Sequence, residues 1–200
     1  MPDLKIENSL NCIVAGVDEA GRGPLCGPVV AAAVILNKSN IPNGLDDSKK
    51  LTAKKRELLF EQIKASSIVG VGIVWQNIID KINILQATKK AMAEAVNKLS
   101  QLPKKIIVDG NQKFNAGTIE VIPIIKGDSI SLSISAASII AKVSRDRIME
   151  ELHNEAPHYN WQKNAGYGTR EHLEAIEKFG ISKYHRKSFA PIKHMEEDRY

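Results

Sequence analysis

Four acidic side chains stand where apolar, β-leaning runs of this sequence end: Asp18, Glu19, Asp109 and Asp128. Strands of one sheet bring their ends together even when they lie far apart in the chain. Carboxylate oxygens without a neighbouring His or Cys favour Mg²⁺ or Mn²⁺ over zinc. Two such ions, about 3.5–4 Å apart, activate water and stabilise the leaving oxygen of a phosphodiester. The pattern therefore indicates a divalent-metal site for phosphodiester hydrolysis, although each carboxylate taken alone also fits a solvated loop.

Asp18 and Glu19 are adjacent, and neighbouring residues of a regular strand face opposite sides of a sheet. Both carboxylates therefore serve one site only if the strand ends or bulges at this pair. A turn rich in glycine and proline follows: Gly21, Gly23, Pro24, Gly27 and Pro28. Glycine lets a ligand approach the backbone closely, so this Gly-rich turn is a second candidate for ligand contact.

The rest of the chain predicts the frame that positions these residues. Strands are predicted over residues 12–17, 29–36, 68–75, 105–108 and 119–125. Helices are predicted over residues 52–65, 84–102, 133–153 and 169–179, with Thr52 and Thr169 as N-caps. The first two strands suit an antiparallel hairpin, whereas the later strands alternate with helices, which is typical of parallel pairing. We therefore predict an α/β fold with a mixed sheet, preceded by a loose lead-in of about ten residues.

Length, charge and cysteine content set further bounds. The chain has 200 residues, 43% of them hydrophobic, and a net charge of +5, which suits one globular domain that tolerates a polyanionic partner. Its two cysteines, Cys12 and Cys26, show no metal-ligand or disulfide pattern. The N-terminus lacks an apolar signal core, and the longest apolar run, 29–36, is too short to span a bilayer. We therefore expect a soluble, cytoplasmic protein without membrane contact.

Two segments near the C-terminus are candidates for nucleic-acid contact. Residues 183–194 are basic, with interleaved aromatic side chains and no acidic residue. Such a stretch is either a solvated surface or a contact for nucleic acid. Tyr167 lies between two glycines, where it either packs on the core as a loop aromatic or stacks on a ligand. Composition alone leaves both pairs of alternatives open.

Seven short motifs follow one another along nearly the whole chain. They are Gly-Val-Asp-Glu-Ala-Gly-Arg-Gly-Pro at 16–24, Asp-Ser-Lys-Lys-Leu at 47–51, Val-Asp-Gly at 108–110, Lys-Gly-Asp at 126–128, the helical run at 133–146, Gly-Tyr-Gly-Thr at 166–169 and His-Arg-Lys-Ser-Phe at 185–189. Together they resemble the type 2 ribonucleases H, specifically the bacterial ribonuclease HII family. Ser135 stands where that family leads us to expect alanine, a difference that concerns packing only.

The resemblance implies the ribonuclease H-like fold, a central mixed β-sheet flanked by helices, with a small helical C-terminal extension. It divides the chain into a catalytic core at 1–155 and a helical, basic extension at 156–200 packed on that core. It implies two-metal-ion cleavage, with Mn²⁺ or Mg²⁺, of the RNA strand of RNA–DNA hybrids. It also implies nicking of duplex DNA 5′ of embedded ribonucleotides, leaving 5′-phosphate and 3′-hydroxyl ends. We expect a monomer without an obligate protein partner.

By motif match, the resemblance assigns the catalytic and metal-binding roles to the four acidic residues: Asp18, Glu19, Asp109 and Asp128. It assigns recognition of the ribonucleotide to a second set: Gly21, Arg22, Gly23 and Tyr167. The basic residues Lys49, Arg186 and Lys187 complete the expected substrate contacts. The alternatives are another metal-dependent nuclease of the same fold and a non-catalytic nucleic-acid binder that uses the basic segment. Four converging carboxylates without metal would repel a nucleic-acid backbone, which argues against the second alternative.

Overall fold

A computed structural model describes residues 1–197 of the chain. The strands within this part are β1 Val14–Ala20, β2 Val29–Ile35, β3 Ile68–Val74, β4 Lys105–Asp109 and β5 Glu120–Ile124. The helices are α1 Lys5–Ser9, α2 Ala53–Ser66, α3 Gln76–Asn97, α4 Leu132–Glu155, α5 Trp161–Asn164, α6 Arg170–Phe179 and α7 Ile192–Glu197. Short 3₁₀ turns lie at Ser48–Lys50, Gly127–Ser129 and Pro157–Tyr159. The alternation of strands and helices confirms the predicted α/β class.

The strands form one mixed sheet in the order β3-β2-β1-β4-β5. β1 and β2 make the predicted antiparallel hairpin, and β3 pairs antiparallel with β2. β4 joins the other side of β1 in parallel, and β5 pairs in parallel with β4. Val17 of β1 lies opposite Val108 of β4, so the next residues, Asp18 and Asp109, reach the same edge of the sheet. The register of one parallel pair thus brings two distant carboxylates together.

Helices cover both faces of the sheet. The side chains of β2 alternate between the two layers, because Ala33 faces α3 whereas Val34 faces α2 and α4. α4 approaches β1 so closely that a Cβ atom on Gly16 would lie 2.2 Å from the backbone carbonyl carbon of Ser133. Only glycine allows that approach, and it brings the start of α4 against the strand that carries Asp18.

Two predicted N-caps are confirmed. The Thr52 hydroxyl accepts the Lys55 backbone N–H at the start of α2, and the Thr169 hydroxyl accepts the His172 backbone N–H at the start of α6. Each bond satisfies a backbone donor that has no partner within the first helical turn. The local rule therefore predicts both helix starts correctly.

Helix α3 begins earlier and ends earlier than predicted over residues 84–102. It starts at Gln76, where Ile79 is already buried in the core, and it ends at Asn97. Asn83 interrupts the helical backbone with a φ of 64° and a ψ of 164°. This combination of angles is essentially restricted to glycine, so the backbone of Asn83 is strained at the kink. The interruption breaks the apolar periodicity, which hid the first part of the helix.

The N-terminal segment packs against the sheet, which corrects the predicted loose lead-in. Asp3 forms a parallel β-bridge with Ser131, beyond the 3₁₀ turn that carries Asp128. The buried Glu7 carboxylate of α1 accepts the Ser131 hydroxyl at 2.6 Å and the Ser133 backbone N–H at 3.0 Å. A negative charge at this place is favourable because it meets the positive end of the α4 dipole. The segment therefore fixes the start of α4.

The chain after α4 packs around an apolar cluster of its own. Tyr159, Trp161 and Ile176 pack there with Met149 of α4 and Leu25 of the Gly-rich turn. The C-terminal part of the chain thus contacts the turn that follows β1. A boundary between residues 155 and 156 stays a prediction. Of the helices in residues 1–197, none is long and apolar enough to cross a membrane.

Candidate active site

Three of the predicted acidic residues meet at the edge of the sheet. One carboxylate oxygen each of Asp18, Asp109 and Asp128 lies within 4.8 Å of the other two. Asp18 and Asp109 come from the parallel strands β1 and β4, and Asp128 comes from the 3₁₀ turn after β5. The Gly127 N–H donates to Asp109 Oδ1 at 2.7 Å, which ties this turn to β4. Three oxygens at such spacing suit a hard divalent cation.

The charges of this three-carboxylate cluster also favour a bound cation. Burial and the neighbouring Glu19 and Asp109 carboxylates raise the pKa of Asp18 well above its ordinary value. Burial and the charges of Asp109 and Asp47 raise the pKa of Asp128. Like charges at this separation oppose one another's ionisation, and a divalent cation relieves the repulsion. The residues present therefore fit Mg²⁺ or Mn²⁺.

Glu19 lies beside the cluster and not within it. We expected β1 to end or bulge at the Asp18–Glu19 pair if both carboxylates served one site. It does neither there, because its pairing with β2 continues to Ala20. The Glu19 carboxylate is 3.2 Å from the Arg22 guanidinium. Burial raises the pKa of Glu19, and the Arg22 charge opposes that shift. Asp18 and Glu19 still line one cavity, since the strand ends one residue later.

The cavity extends from the carboxylates along the Gly-rich turn. It is lined by five of the residues predicted to contact substrate: Gly21, Arg22, Gly23, Lys49 and Tyr167. Lys49 Nζ is 3.6 Å from Asp128 Oδ2. Burial disfavours the charged form of Lys49, but the surrounding carboxylates outweigh this effect and raise its pKa. A cationic side chain therefore stands beside the cluster at neutral pH.

Four further polar residues line the same cavity, and sequence reasoning missed them as site residues: Ser48, Ser138, Lys142 and Arg145. The hydroxyl oxygens of Ser48 and Ser138 are 2.8 Å apart. A hydrogen bond from Ser138 favours the charged form of Asp18. The small residues of α4 indicate close packing, and Ser138 is a small residue like several of its neighbours in the helix. Ser138 therefore becomes visible as a site residue only in the fold.

Arg186 is buried, which corrects its prediction as a surface contact to phosphate. Its guanidinium donates to the carbonyl oxygens of Gly21 at 2.6 Å, Arg22 at 2.9 Å and Gly27 at 2.9 and 3.0 Å. Burial and the nearby Arg145 charge lower the pKa of Arg186 to about 9. An acid-free basic segment indicates a solvated face, but this member of the segment turns inward. Arg186 supports the Gly-rich turn from its buried side.

Arg186 also sets the direction of two backbone amides. The C=O and N–H groups of a planar trans peptide point in opposite directions. Because the carbonyls of Gly21 and Arg22 point towards Arg186, the N–H groups of Arg22 and Gly23 point away from it. Neither N–H takes part in a backbone hydrogen bond elsewhere in residues 1–197. Two donors on the exposed side of the turn are therefore available to oxygen atoms of a ligand.

The other half of the turn is held by Arg145 of α4. Its guanidinium donates to the carbonyl oxygens of Pro28 at 3.0 Å, Cys26 at 3.1 Å and Ala165 at 2.9 Å. Lys187 differs from both buried arginines, because its side chain is exposed. Lys187 thus stays a predicted substrate contact.

Two buried histidines lie behind Tyr167. His172 Nδ1 is 2.9 Å from the Tyr167 carbonyl oxygen, and His172 Nε2 is 3.1 Å from His185 Nε2. Burial lowers the pKa of both rings, that of His185 to about 4. The two imidazoles are therefore neutral near pH 7.

The histidines predict a loss of stability in acid. As the pH falls from 6.5 to about 4, unfolded His185 takes up a proton while folded His185 stays neutral, so the free energy of unfolding decreases. This difference in pKa corresponds to about 3 kcal/mol. Urea unfolding of the parent and of His185→Gln at pH 7 and pH 4.5 measures it. The variant should lose less stability on acidification, and equal losses in both proteins would contradict the prediction.

Replacing Asp18 by asparagine should raise the thermal stability of the metal-free protein. The amide keeps the shape of the side chain and removes a buried charge that faces Glu19 and Asp109. Single stabilising substitutions commonly contribute about 0.5–2 kcal/mol, and we expect a gain of this size. Melting in the presence of chelator, with Asp46→Asn as a control outside the cluster, measures the change. A lower melting temperature for Asp18→Asn than for the parent would contradict the repulsion argument.

The chain is similar to known proteins along most of its length. The family model for ribonuclease HII matches residues 15–192. Ribonuclease HII of Rickettsia bellii (strain OSU 85-389) is 60% identical over 179 residues, which cover 90% of each protein. The crystal structure of ribonuclease H2 from Pyrococcus horikoshii OT3 has a TM-score of 0.77 and 31% identity, over 92% of this chain and 97% of that one. RNase HII of Archaeoglobus fulgidus, solved in complex with PCNA, has a TM-score of 0.75 and 28% identity, over 87% of this chain and 93% of that one.

Proposed function

Because the chain belongs to the ribonuclease HII family of RNA–DNA hybrid endonucleases, we propose that it also nicks duplex DNA 5′ of an embedded ribonucleotide. The proposed products are a 5′-phosphate and a 3′-hydroxyl. The observation that supports the proposal is a cavity that Asp18, one member of the three-carboxylate cluster, shares with the Gly-rich turn. In such a cavity, the groups proposed to cut a phosphodiester would lie beside the groups proposed to contact the sugar.

Asp18, Asp109 and Asp128 would hold the divalent metal, with Glu19 beside them. The bound ions, Mg²⁺ or Mn²⁺, would activate water and stabilise the leaving oxygen. The protein itself fixes the carboxylates through the β1–β4 register and through the Gly127–Asp109 hydrogen bond. Lys49 would contact a phosphate, since its charge already faces this site. Arg22 and Lys187 would neutralise further phosphates of the duplex.

The Gly-rich turn would distinguish ribose from deoxyribose. The only chemical difference at the sugar is the 2′-hydroxyl, which both donates and accepts hydrogen bonds. The outward N–H groups of Arg22 and Gly23 would bond to it, and Arg186 holds them in place. Tyr167 closes the other side, because its Cε1 atom would lie 3.5 Å from a Cβ built on Gly23. A rigid backbone site of this kind recognises the hydroxyl without a flexible side chain.

The experiment that tests the proposal is cleavage of a DNA duplex that contains one ribonucleotide. We expect a single cut on its 5′ side in Mg²⁺ or Mn²⁺ and none after addition of chelator. A continuous RNA–DNA hybrid serves as the positive control, and an all-DNA duplex serves as the negative control. If the protein cut the hybrid but left the single-ribonucleotide duplex intact, the proposed specificity would be wrong. If it bound the hybrid without cutting it, the non-catalytic alternative would hold instead.

Replacing Tyr167 by alanine should impair cleavage at a single ribonucleotide far more than folding. The side chain is 48% exposed and lines the cavity, so its loss removes little from the core. Contact between an aromatic ring and a nucleotide contributes about 1–3 kcal/mol, which predicts a roughly tenfold to hundredfold loss of rate. Single-turnover cleavage and thermal melting measure the two effects, and Tyr167→Phe separates the ring from its hydroxyl. If the Tyr167→Ala variant folded normally and cut the duplex at the parental rate, Tyr167 would only be an aromatic residue packed in a loop.

Three expectations about the setting of the protein stay predictions. They are a cytoplasmic location, a monomeric state and the absence of an obligate protein partner. The Archaeoglobus fulgidus protein was solved with PCNA, so a sliding clamp belongs among the partners to test. Gel filtration of the protein alone and with the clamp of its own organism tests the last two expectations.

A further inference from the structure

The ring of Tyr167 is placed by a backbone that is held on several sides. The Tyr167 N–H donates to the Asn164 carbonyl at 2.8 Å, and the Tyr167 carbonyl accepts the Thr169 N–H at 2.8 Å. The same carbonyl oxygen lies 2.9 Å from His172 Nδ1. The histidine side chain is buried and also contacts His185, so it links Tyr167 to a network of buried polar side chains.

The acceptors in this network determine the protonation of both imidazoles. A carbonyl oxygen only accepts, so His172 Nδ1 carries the proton and His172 Nε2 is an acceptor. His172 Nε2 lies 3.0 Å from Trp161 Nε1 and 3.1 Å from His185 Nε2, and both of these atoms must donate to it. His185 Nδ1 is consequently unprotonated, and it accepts the Ser182 N–H at 2.8 Å. One directional chain of hydrogen bonds runs from Ser182 through both histidines to Tyr167.

The segment at the start of this chain also holds the Gly-rich turn. His185 forms an antiparallel β-bridge with Cys26. The Arg186 N–H donates to the Leu25 carbonyl at 2.8 Å, and the Arg186 guanidinium binds the carbonyls of the turn. His185 and Arg186 are neighbours in the chain, so one short segment contacts both walls of the cavity. Its histidine reaches Tyr167 through His172, and its arginine reaches the turn directly.

We infer that His172 and His185 are positioning residues for ribonucleotide recognition, which set the Tyr167 ring at a fixed distance from the Gly21–Gly23 backbone. The inference rests on the proposed function, because only that proposal gives Tyr167 a contact with the substrate. Neither histidine lines the cavity, and both act through Tyr167. Loss of the Nδ1 donor leaves the Tyr167 carbonyl with the Thr169 bond alone, so the ring is no longer held at one distance from the turn.

The test compares two substitutions that keep different parts of the imidazole. Asparagine at position 172 places its amide near the former Nδ1 atom and can still donate to Tyr167. Glutamine places its amide near the former Nε2 atom and cannot. We expect His172→Gln to lower single-turnover cleavage of the single-ribonucleotide duplex roughly tenfold, and His172→Asn to restore most of that loss. His158→Gln, an exposed histidine of the same region without contact to Tyr167, serves as the matched control and should cut at the parental rate.

A double-mutant cycle separates positioning from general support of the fold. If His172 acts through Tyr167, His172→Gln has no further effect on cleavage in a Tyr167→Ala background. If His172→Gln costs the same factor with and without Tyr167, the inference is wrong. Thermal melting of all variants accompanies the cycle, because loss of stability alone affects both backgrounds equally.

A spectroscopic measurement keeps the inference independent of the proposed function. Protein labelled with 3-fluorotyrosine gives one ¹⁹F resonance for Tyr167, assigned by its absence from Tyr167→Phe. We expect this resonance to shift in His172→Gln and to keep its parental position in His158→Gln. If the parental protein did not cut the single-ribonucleotide duplex, the proposed function would be wrong. The resonance alone would then test whether His172 positions the Tyr167 ring. An unchanged Tyr167 resonance in His172→Gln would overturn the inference.

Discussion

Replacing Asp109 by asparagine should abolish nearly all cleavage while leaving the fold intact. Asp109 lies in the three-carboxylate cluster, and a neutral amide binds and balances a divalent cation poorly. Metal-based stabilisation of a reacting phosphate amounts to several kcal/mol, so its loss corresponds to about a thousandfold in rate. The amide oxygen can still accept the Gly127 N–H, so the turn that carries Asp128 keeps its link to β4.

Single-turnover cleavage of a hybrid in Mg²⁺ and in Mn²⁺ measures this loss. Circular dichroism melting in chelator checks the fold, and Asp46→Asn controls for the removal of one surface carboxylate. Asp128→Asn should act in the same direction but less severely, because Asp128 sits in a turn beside Lys49. A rate for Asp109→Asn within about tenfold of the parent would remove Asp109 from the metal site.

Replacing Gly21 by alanine should cost both stability and activity. Gly21 has a φ of 93°, which strains any residue that carries a Cβ atom. That Cβ would lie 2.1 Å from Arg145 Nε and 2.8 Å from the Pro28 carbonyl oxygen. Backbone strain and overpacking each contribute about 1–3 kcal/mol, so we expect a loss of about 3 kcal/mol in the free energy of unfolding.

The cause differs from the one that the Gly-rich turn first suggests. Seen from the sequence, a methyl group at Gly21 would crowd the sugar of the substrate. In the structure it points inward to Arg145, whose guanidinium already binds three carbonyl groups and has little room to move. The displaced turn then no longer holds the N–H groups of Arg22 and Gly23 at their original positions relative to the carboxylates.

Gly117→Ala is the matched control for the Gly21 substitution. Gly117 also has a positive φ, of 66°, but a Cβ atom there meets nothing within 4 Å. It should therefore cost only the backbone strain, about 1 kcal/mol, and leave cleavage unchanged. Urea unfolding and single-ribonucleotide cleavage of both variants separate the two effects. Equal losses of stability in Gly21→Ala and Gly117→Ala would show that Arg145 yields freely to the methyl group.

The sequence predicts those features that depend on local rules or on the ends of strands. Thr52 and Thr169 cap helices because the capping bond is local. Asp18 and Asp109 meet because each lies near the carboxyl end of its strand and the two strands, β1 and β4, pair in parallel. Predicting the positions of these residues required no knowledge of side-chain packing.

Features that depend on burial were not predictable in the same way. Arg186 belongs to a basic segment, and only the fold shows that its guanidinium turns inward to three carbonyl groups. Ser138 looks like any other small residue of α4 until the strand that carries Asp18 packs against it. Glu19 was expected among the metal ligands, but the continuation of β1 directs its carboxylate towards Arg22.

The hydrogen bonds between Glu7 of α1 and the start of α4 affect how the protein should be expressed and shortened. Met1 is exposed, so an affinity tag joined to it would extend into solvent. Trimming the first nine residues would instead remove Glu7 and leave the Ser131 hydroxyl and the Ser133 amide without their shared acceptor. Both groups directly follow the turn that carries Asp128. A shortened chain would therefore bind metal weakly although every carboxylate of its active site is still present.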